Sequence, residues 1–126
     1  MTVLTQPPTM GDVLKYELNP NFTRETVTLL AGTAYPVGAV LGRITANGKY
    51  KLATSGGSDG AQTAAAVLLY AVDATTADAT AIILARGPSI VSKAALVFDA
   101  TIDDAAKIAT KHGQLAALGI IPRETA

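Results

Sequence analysis

The sequence has no cysteine, which excludes a disulfide scaffold, a thiolate metal site and a thiol nucleophile together. It has no excess charge of either sign. Lys and Arg number 10 and Asp and Glu 10 in 126 residues, so the formal net charge is zero, and no block of like charge occurs. A nucleic-acid-binding domain is expected to carry a basic face, and none is visible. The single histidine, His112, excludes a His–His metal site and a conventional catalytic triad. The longest uncharged apolar stretch, Ala61 to Val72, is far short of the roughly 20 residues of a membrane span. Met1-Thr2-Val3-Leu4 has neither the basic n-region nor the long apolar core of a secretory signal. The expectation is a soluble protein made in a cytoplasm.

What is present is apolar: 49% of residues, against only 16% charged. An excess of that kind is normally hidden in a partner or an oligomer, so self-association is expected. The length suits one domain able to bury a core without disulfides or metal. The organising stretch is Ala31 to Leu52, AGTAYPVGAVLGRITANGKYKL. Val40 and Ile44 fall on one face with Gly42 between them, and Tyr50 and Leu52 share a face. A period of two marks half-buried strands. Asn47-Gly48 between them predicts a type I′ hairpin turn, with positive φ at both central residues. Tyr35-Pro36-Val37-Gly38 predicts a turn in which Gly38 takes positive φ.

Along the chain, Met1 to about Asn21 does not look like part of a compact core. Gln6-Pro7-Pro8-Thr9 favours an extended backbone, and Asn19-Pro20-Asn21 punctuates the far end. It reads either as a loose terminus or as an arm that orders on a partner, with Thr2-Val3-Leu4-Thr5 adding as a strand to a partner's sheet edge. Thr26-Val27-Thr28-Leu29 alternates as a strand, preceded by Arg24 and Glu25 as a solvated pair. Thr54 to Gly60 is a Gly-rich loop without the Gly-Lys-Ser/Thr ending of a phosphate loop. Ala65 to Val72 is apolar on both faces, as in a strand buried on both sides. Asp73 and Asp78 lack the spacing of a calcium loop and read as turn formers. Thr80 to Arg86 is a strand with Ile82 and Leu84 inward, ended by Gly87-Pro88. Ser89 to Val91 and Leu96 to Phe98 are further short extended pieces.

One helix closes the chain. Thr101 with Asp104 three residues on predicts a capping-box start, with Lys107 and Lys111 nearer the negative end. Ala105, Ile108, Ala109, His112, Leu115 and Ala116 make one apolar stripe. Gly113 is a weak point, and Gly119 is a natural stop before a short strand at Ile120 and Ile121. No constellation able to do chemistry emerges: Ser89 lacks a Gly-x-Ser-x-Gly elbow, and Asp103-Asp104 is explained by capping. A biotinyl or lipoyl carrier, or a small carbohydrate-binding clip domain, is the alternative for the Pro36 to Ile44 strand pattern. A carrier needs a modified Lys on a hairpin tip, usually flanked by Met, and Lys49 beside Tyr50 has none.

The segments Asn21-Phe22-Thr23-Arg24-Glu25-Thr26-Val27-Thr28 and AGTAYPVGAVLGRITANGKY resemble the lambda-type head decoration proteins of tailed bacteriophages. Asp59-Gly60, Ala65 to Thr75, Arg86-Gly87-Pro88, Leu115 to Ile120 and Arg123 follow in the same order, so the resemblance covers about Phe22 to Arg123. It implies a mainly β domain with one C-terminal helix (α+β), of the β-clip or β-tulip kind, over residues 22–126, with an extended N-terminal arm over 1–21. It implies homotrimers bound to the major capsid protein on the outer surface of the mature head, bracing the expanded shell against packaged DNA. Such a protein is not an enzyme and takes no cofactor, metal, small-molecule substrate, nucleic acid or membrane. The expected capsid-binding residues are Thr2, Val3, Leu4, Thr5, Pro7, Pro8, Val13, Leu14 and Tyr16. The expected fold-determining turn residues are Gly38, Gly42, Asn47, Gly48, Gly87, Pro88 and Gly119.

Overall fold

A computed structural model describes residues 9–124. The fold is mainly β with one long C-terminal helix. Five strands close into a barrel in the order β2 (Arg24–Leu29), β5 (Tyr50–Leu52), β4 (Val40–Arg43), β6 (Ala64–Leu68) and β8 (Ala79–Leu84). Two smaller sheets flank it. One orders β1 (Leu14–Glu17), β9 (Ser89–Ser92) and β10 (Ile120–Arg123); the other is a ribbon of β3 (Thr33–Tyr35) and β7 (Val72–Ala74). Short helices α1 (Met10–Val13) and α2 (Pro20–Thr23) bracket β1, and α3 (Ala105–Ala117) precedes β10.

The double apolarity of the central strands has a direct cause. One core cluster draws Leu29, Leu41, Tyr50, Ala66, Leu68, Ala81 and Ile83 from all five barrel strands and fills the interior. The second holds Val40, Val67 and Leu84 from β4, β6 and β8 against Val13, Val91, Leu115 and Ile120 of the flanking elements. Those three strands are therefore buried inside and out, and they need branched side chains at consecutive positions. A register shift opposite Leu41 and Gly42 turns Ala64 from the interior to the outer cluster.

Several turns are glycine-dependent. Gly38 has φ 85° in the Pro36–Ala39 turn, and a Cβ there would lie 2.2 Å from the Ala95 carbonyl oxygen. Gly119 has φ 83°, stops α3, and packs backbone to backbone on Gly87, which precedes a cis Pro88. The β4–β5 hairpin exists, but not as a type I′ turn: among the described residues only glycines have positive φ, so Asn47 does not. The connection is longer. Ile44 N–H donates to the Lys49 carbonyl and Gly48 N–H to the Ile44 carbonyl, with Gly48 at φ 73°. Asn47 serves through its side chain, accepting from Lys49 N–H at 2.9 Å.

Other expectations are corrected. Ile82 faces outward and is 40% exposed, whereas Ala81 and Ile83 line the barrel and Leu84 enters the outer cluster. Closure selects the opposite face of β8 from the one its sequence suggests. Arg24 and Glu25 do not pair with each other: Arg24 binds Glu17 and Glu25 binds Arg86. Adjacent strand residues point to opposite faces, so each finds a partner on a different element. The cap of α3 is Asp104, whose carboxylate accepts from Lys107 N–H at 2.8 Å. Thr101 instead donates to Asp99 and accepts from Ser55 N–H. The helix runs unbroken through Gly113, and its inward face is Ile108, Lys111, His112 and Leu115, while Ala105, Ala109 and Ala116 are exposed.

Candidate functional site

Of the residues expected to grip a partner, Thr2, Val3, Leu4, Thr5, Pro7 and Pro8 lie outside the described residues. The remaining three are on the body of the domain. Val13 is 0% exposed within the outer core cluster. Leu14 packs against the same cluster and pairs with Val91 on β9. Tyr16 alone is on the surface, at 49% exposure. The segment from Thr9 to Asn21 is thus built into the fold, unlike the extended arm expected there. The reason lies in local chemistry: Thr9 N–H donates to the Asp12 carboxylate at 2.8 Å, and Asn19 caps α2 by accepting from Asn21 N–H. Pro20 at the helix start needs no donor there. Two one-turn helices therefore hold β1 between them.

Glu17 anchors this segment electrostatically. Arg24 Nε lies 3.1 and 3.2 Å from the two Glu17 oxygens, a second guanidinium nitrogen joins them, and the Thr23 hydroxyl donates to Oε2 at 2.7 Å. Burial pushes the Glu17 carboxyl up, but the Arg24 and Thr23 hydrogen bonds outweigh it and hold it below its ordinary value. The same hydrogen bond pushes the Arg24 guanidinium up. Beside this pair Arg86 binds Glu25 and the Phe22 carbonyl, and its guanidinium carbon sits 5.5 Å from the Phe22 ring centroid.

Several large apolar side chains are exposed, three of them near the start of the described chain. Tyr16, Leu18, Phe22 and Tyr70 are each about half exposed, and composition alone did not single out the last three. Phe22 and Leu18 flank the Asn19-Pro20 break, where the one-turn helix α2 buries only Thr23; that flanking position is the signal available in sequence. A groove of about 470 Å³ lies between Thr9, Met10, Gly11, Val37, Leu69 and Tyr70, reaching Ala71. A separate groove of about 400 Å³ is lined by Ala71, Pro36, Ala34 and Asp73.

The polar groups elsewhere are tied into the fold. The Asp73 carboxylate accepts from the backbone and hydroxyl of Thr75, and Asp78 accepts from Ala31 N–H and pairs with Lys49. Lys49, the residue a carrier would modify, is thereby held to the barrel. Lys111 is 2% exposed, its ammonium held by the Gln62 carbonyl and, at 3.2 Å, by Gln114 Oε1; burial pushes it down. His112 lies 5.9 Å from the Phe98 ring, and its buried Nε2 has no hydrogen-bond partner. Burial first, and Lys93 second, push its imidazole down. Among the described residues no group of three or more His, Asp or Glu is placed to hold a metal ion.

The domain thus combines a closed five-stranded barrel with half-exposed Tyr16, Leu18, Phe22 and Tyr70. The family model described as bacteriophage lambda head decoration protein D matches residues 3–120, so the chain belongs to that family. It is a structural protein of the phage head, located in the virion capsid. No curated protein matches the chain.

Proposed function

We propose that the chain sits as a homotrimer on the outer surface of the expanded head and braces the shell against packaged DNA, after synthesis in the host cytoplasm. The observation that carries this reading is the family match over residues 3–120. The half-exposed Tyr16, Leu18, Phe22 and Tyr70 are large apolar groups that an assembled neighbour would cover. Residues 1–8 grip the major capsid protein, with Thr2 to Thr5 adding as a strand and Pro7-Pro8 holding the link extended. Permanent assembly, not electrostatic steering, suits a chain of zero net charge. Binding is therefore only mildly sensitive to salt.

The test adds purified protein to heads that lack decoration. Saturation at a fixed ratio on expanded heads, with no uptake by unexpanded proheads, is the expected result. Equal uptake by both overturns the assignment. Light scattering at micromolar concentration reads the trimer; a strict monomer both free and on the head overturns that part.

A further inference from the structure

We propose that Asn47 and Asp59 are sites of slow isoaspartate formation, and that two adjoining turns hold both residues unreactive until they open. The sequence has one Asn-Gly pair, Asn47-Gly48, and one Asp-Gly pair, Asp59-Gly60. Such pairs are reactive because glycine has no side chain to shield its amide nitrogen. At Asn47 the Gly48 nitrogen gives up its proton to solvent and attacks Asn47 Cγ. The N–Cγ bond forms, the Cγ–Nδ2 bond breaks, and Nδ2 takes up a proton and leaves as ammonia. Water then opens the cyclic imide at either carbonyl, giving aspartate or isoaspartate, the latter with the backbone routed through the side chain. At Asp59 the Gly60 nitrogen attacks the protonated carboxyl in the same way, and water leaves. Both residues are exposed, so solvent reaches them.

Geometry, not burial, withholds the reaction. The nucleophile is occupied at both pairs: Gly48 N–H donates to the Ile44 carbonyl at 2.8 Å, and Gly60 N–H to Gln62 Oε1 at 2.8 Å. The side chains are occupied too. Asn47 Oδ1 accepts from Lys49 N–H at 2.9 Å and Asp59 Oδ1 from Ala61 N–H at 3.0 Å, so each is fixed on the amide beyond the glycine. The Lys51 ammonium sits 2.6 Å from the other Asp59 oxygen. That contact first, and Ala61 N–H second, hold the Asp59 carboxyl below its ordinary value, and the ionised form resists attack. The two turns touch: Thr45 N–H donates to the Asp59 carbonyl at 2.8 Å, and a Cβ on Gly60 would lie 2.4 Å from Thr45 Oγ1. With Gly48 at φ 73° and Gly60 at φ 104°, a larger residue at either position is strained, so the fold keeps the reactive pairs and locks them. Reaction therefore waits on local opening of the turns. None of this depends on head binding.

The test incubates the full-length protein for weeks at neutral pH, native and unfolded in guanidinium chloride, and reads both sites by peptide mapping. Deamidation at Asn47 and isoaspartate at Asp59 are expected in the unfolded chain, and about tenfold or more slower in the native one. Gln62→Ala removes the acceptor of Gly60 N–H and should speed isoaspartate formation at Asp59 several-fold, with a smaller change at Asn47. Amide exchange in the intact chain is the second measure, because the same N–H must be freed. The slowing at each site should follow the exchange protection of Gly48 and Gly60. An unfolded chain that stays unmodified overturns the sites. Native protein that modifies at the unfolded rate overturns the lock, as does a folded Gln62→Ala variant with Asp59 unchanged.

Discussion

Gly42 has an ordinary backbone conformation, so what its site demands is the absence of a side chain. A Cβ there would lie 2.4 Å from the Ala61 carbonyl oxygen and 2.6 Å from Ala61 Cα, and both are backbone atoms that cannot swing away. Gly42→Ala is expected to cost roughly 1–3 kcal/mol and to lower the melting midpoint by roughly 4–12 °C, measured by circular dichroism. Gly56, with nothing within 4 Å, is the matched control, and Gly56→Ala should change stability by less than about 0.5 kcal/mol. Equal effects at the two sites would refute the close-approach account. Gly42 was expected as a turn residue and instead sits inside β4; a sequence shows a glycine between two strand residues but not the turn at Ala61 that will press on it.

His112 gives a pH signature at the same scale. Its folded-state pKa lies below the ordinary 6.5, because burial and then Lys93 disfavour the imidazolium. The unfolded chain therefore takes up the proton first. The stabilisation is fully present above pH 6.5 and is lost as pH falls through the folded value. His112→Gln should narrow the difference between melting midpoints at pH 7.5 and pH 5.5. An unchanged difference would assign that pH dependence to other groups. Glu17 acts lower, below its ordinary 4.5, with the same sign.

At the scale of elements, α3 separates what local pattern carries from what it cannot. Its existence, its stop at Gly119 and the strand after it were all readable, because capping, periodicity and glycine chemistry act within a few residues. Its cap was misplaced by three residues: Thr101 and Asp104 are both good caps, and only the tertiary contact of Thr101 with Ser55 decides between them. Its inward face was misread at Lys111, since a lysine is buried only where distant carbonyls, here Gln62, receive its ammonium. Asp104→Ala is expected to destabilise the protein by about 1 kcal/mol and to speed amide exchange at Lys107, the N–H it satisfies. Unaltered protection at Lys107 would show that the cap lies elsewhere. β8 repeats the lesson: alternation located the strand, but its pairing with β2 and β6 selected Ala81 and Ile83 for the interior.

For the whole molecule, the boundary between body and grip is the decisive quantity, and composition placed it too far along the chain. Prolines at 7, 8 and 20 and weak apolar runs hid the fact that Val13 fills the outer core cluster and that Leu14 to Glu17 adds a strand to β9. A single buried valine and a three-residue register carry almost no periodic signal, and Glu17 and Arg24 find each other only once the chain has folded back. The two truncations that bracket the boundary should therefore differ sharply. Deleting residues 1–20 removes Val13, worth about 1.5–3 kcal/mol of burial. It also strips the β1 ladder and leaves the Arg24 guanidinium without its carboxylate, about 1.5–3 kcal/mol more. Against a total of about 5–15 kcal/mol for a domain of this kind, that loss is a large fraction. Deleting only residues 1–8 spares every one of these contacts. Thermal melts should show a drop of roughly 15 °C or more, or no cooperative transition, for the longer deletion, and a change within roughly 3 °C for the shorter one. Uptake by expanded heads should fall by orders of magnitude in the shorter, still folded variant. A longer deletion that melts like the intact chain would return β1 to the arm, and a shorter one that saturates heads normally would remove residues 1–8 from the capsid contact.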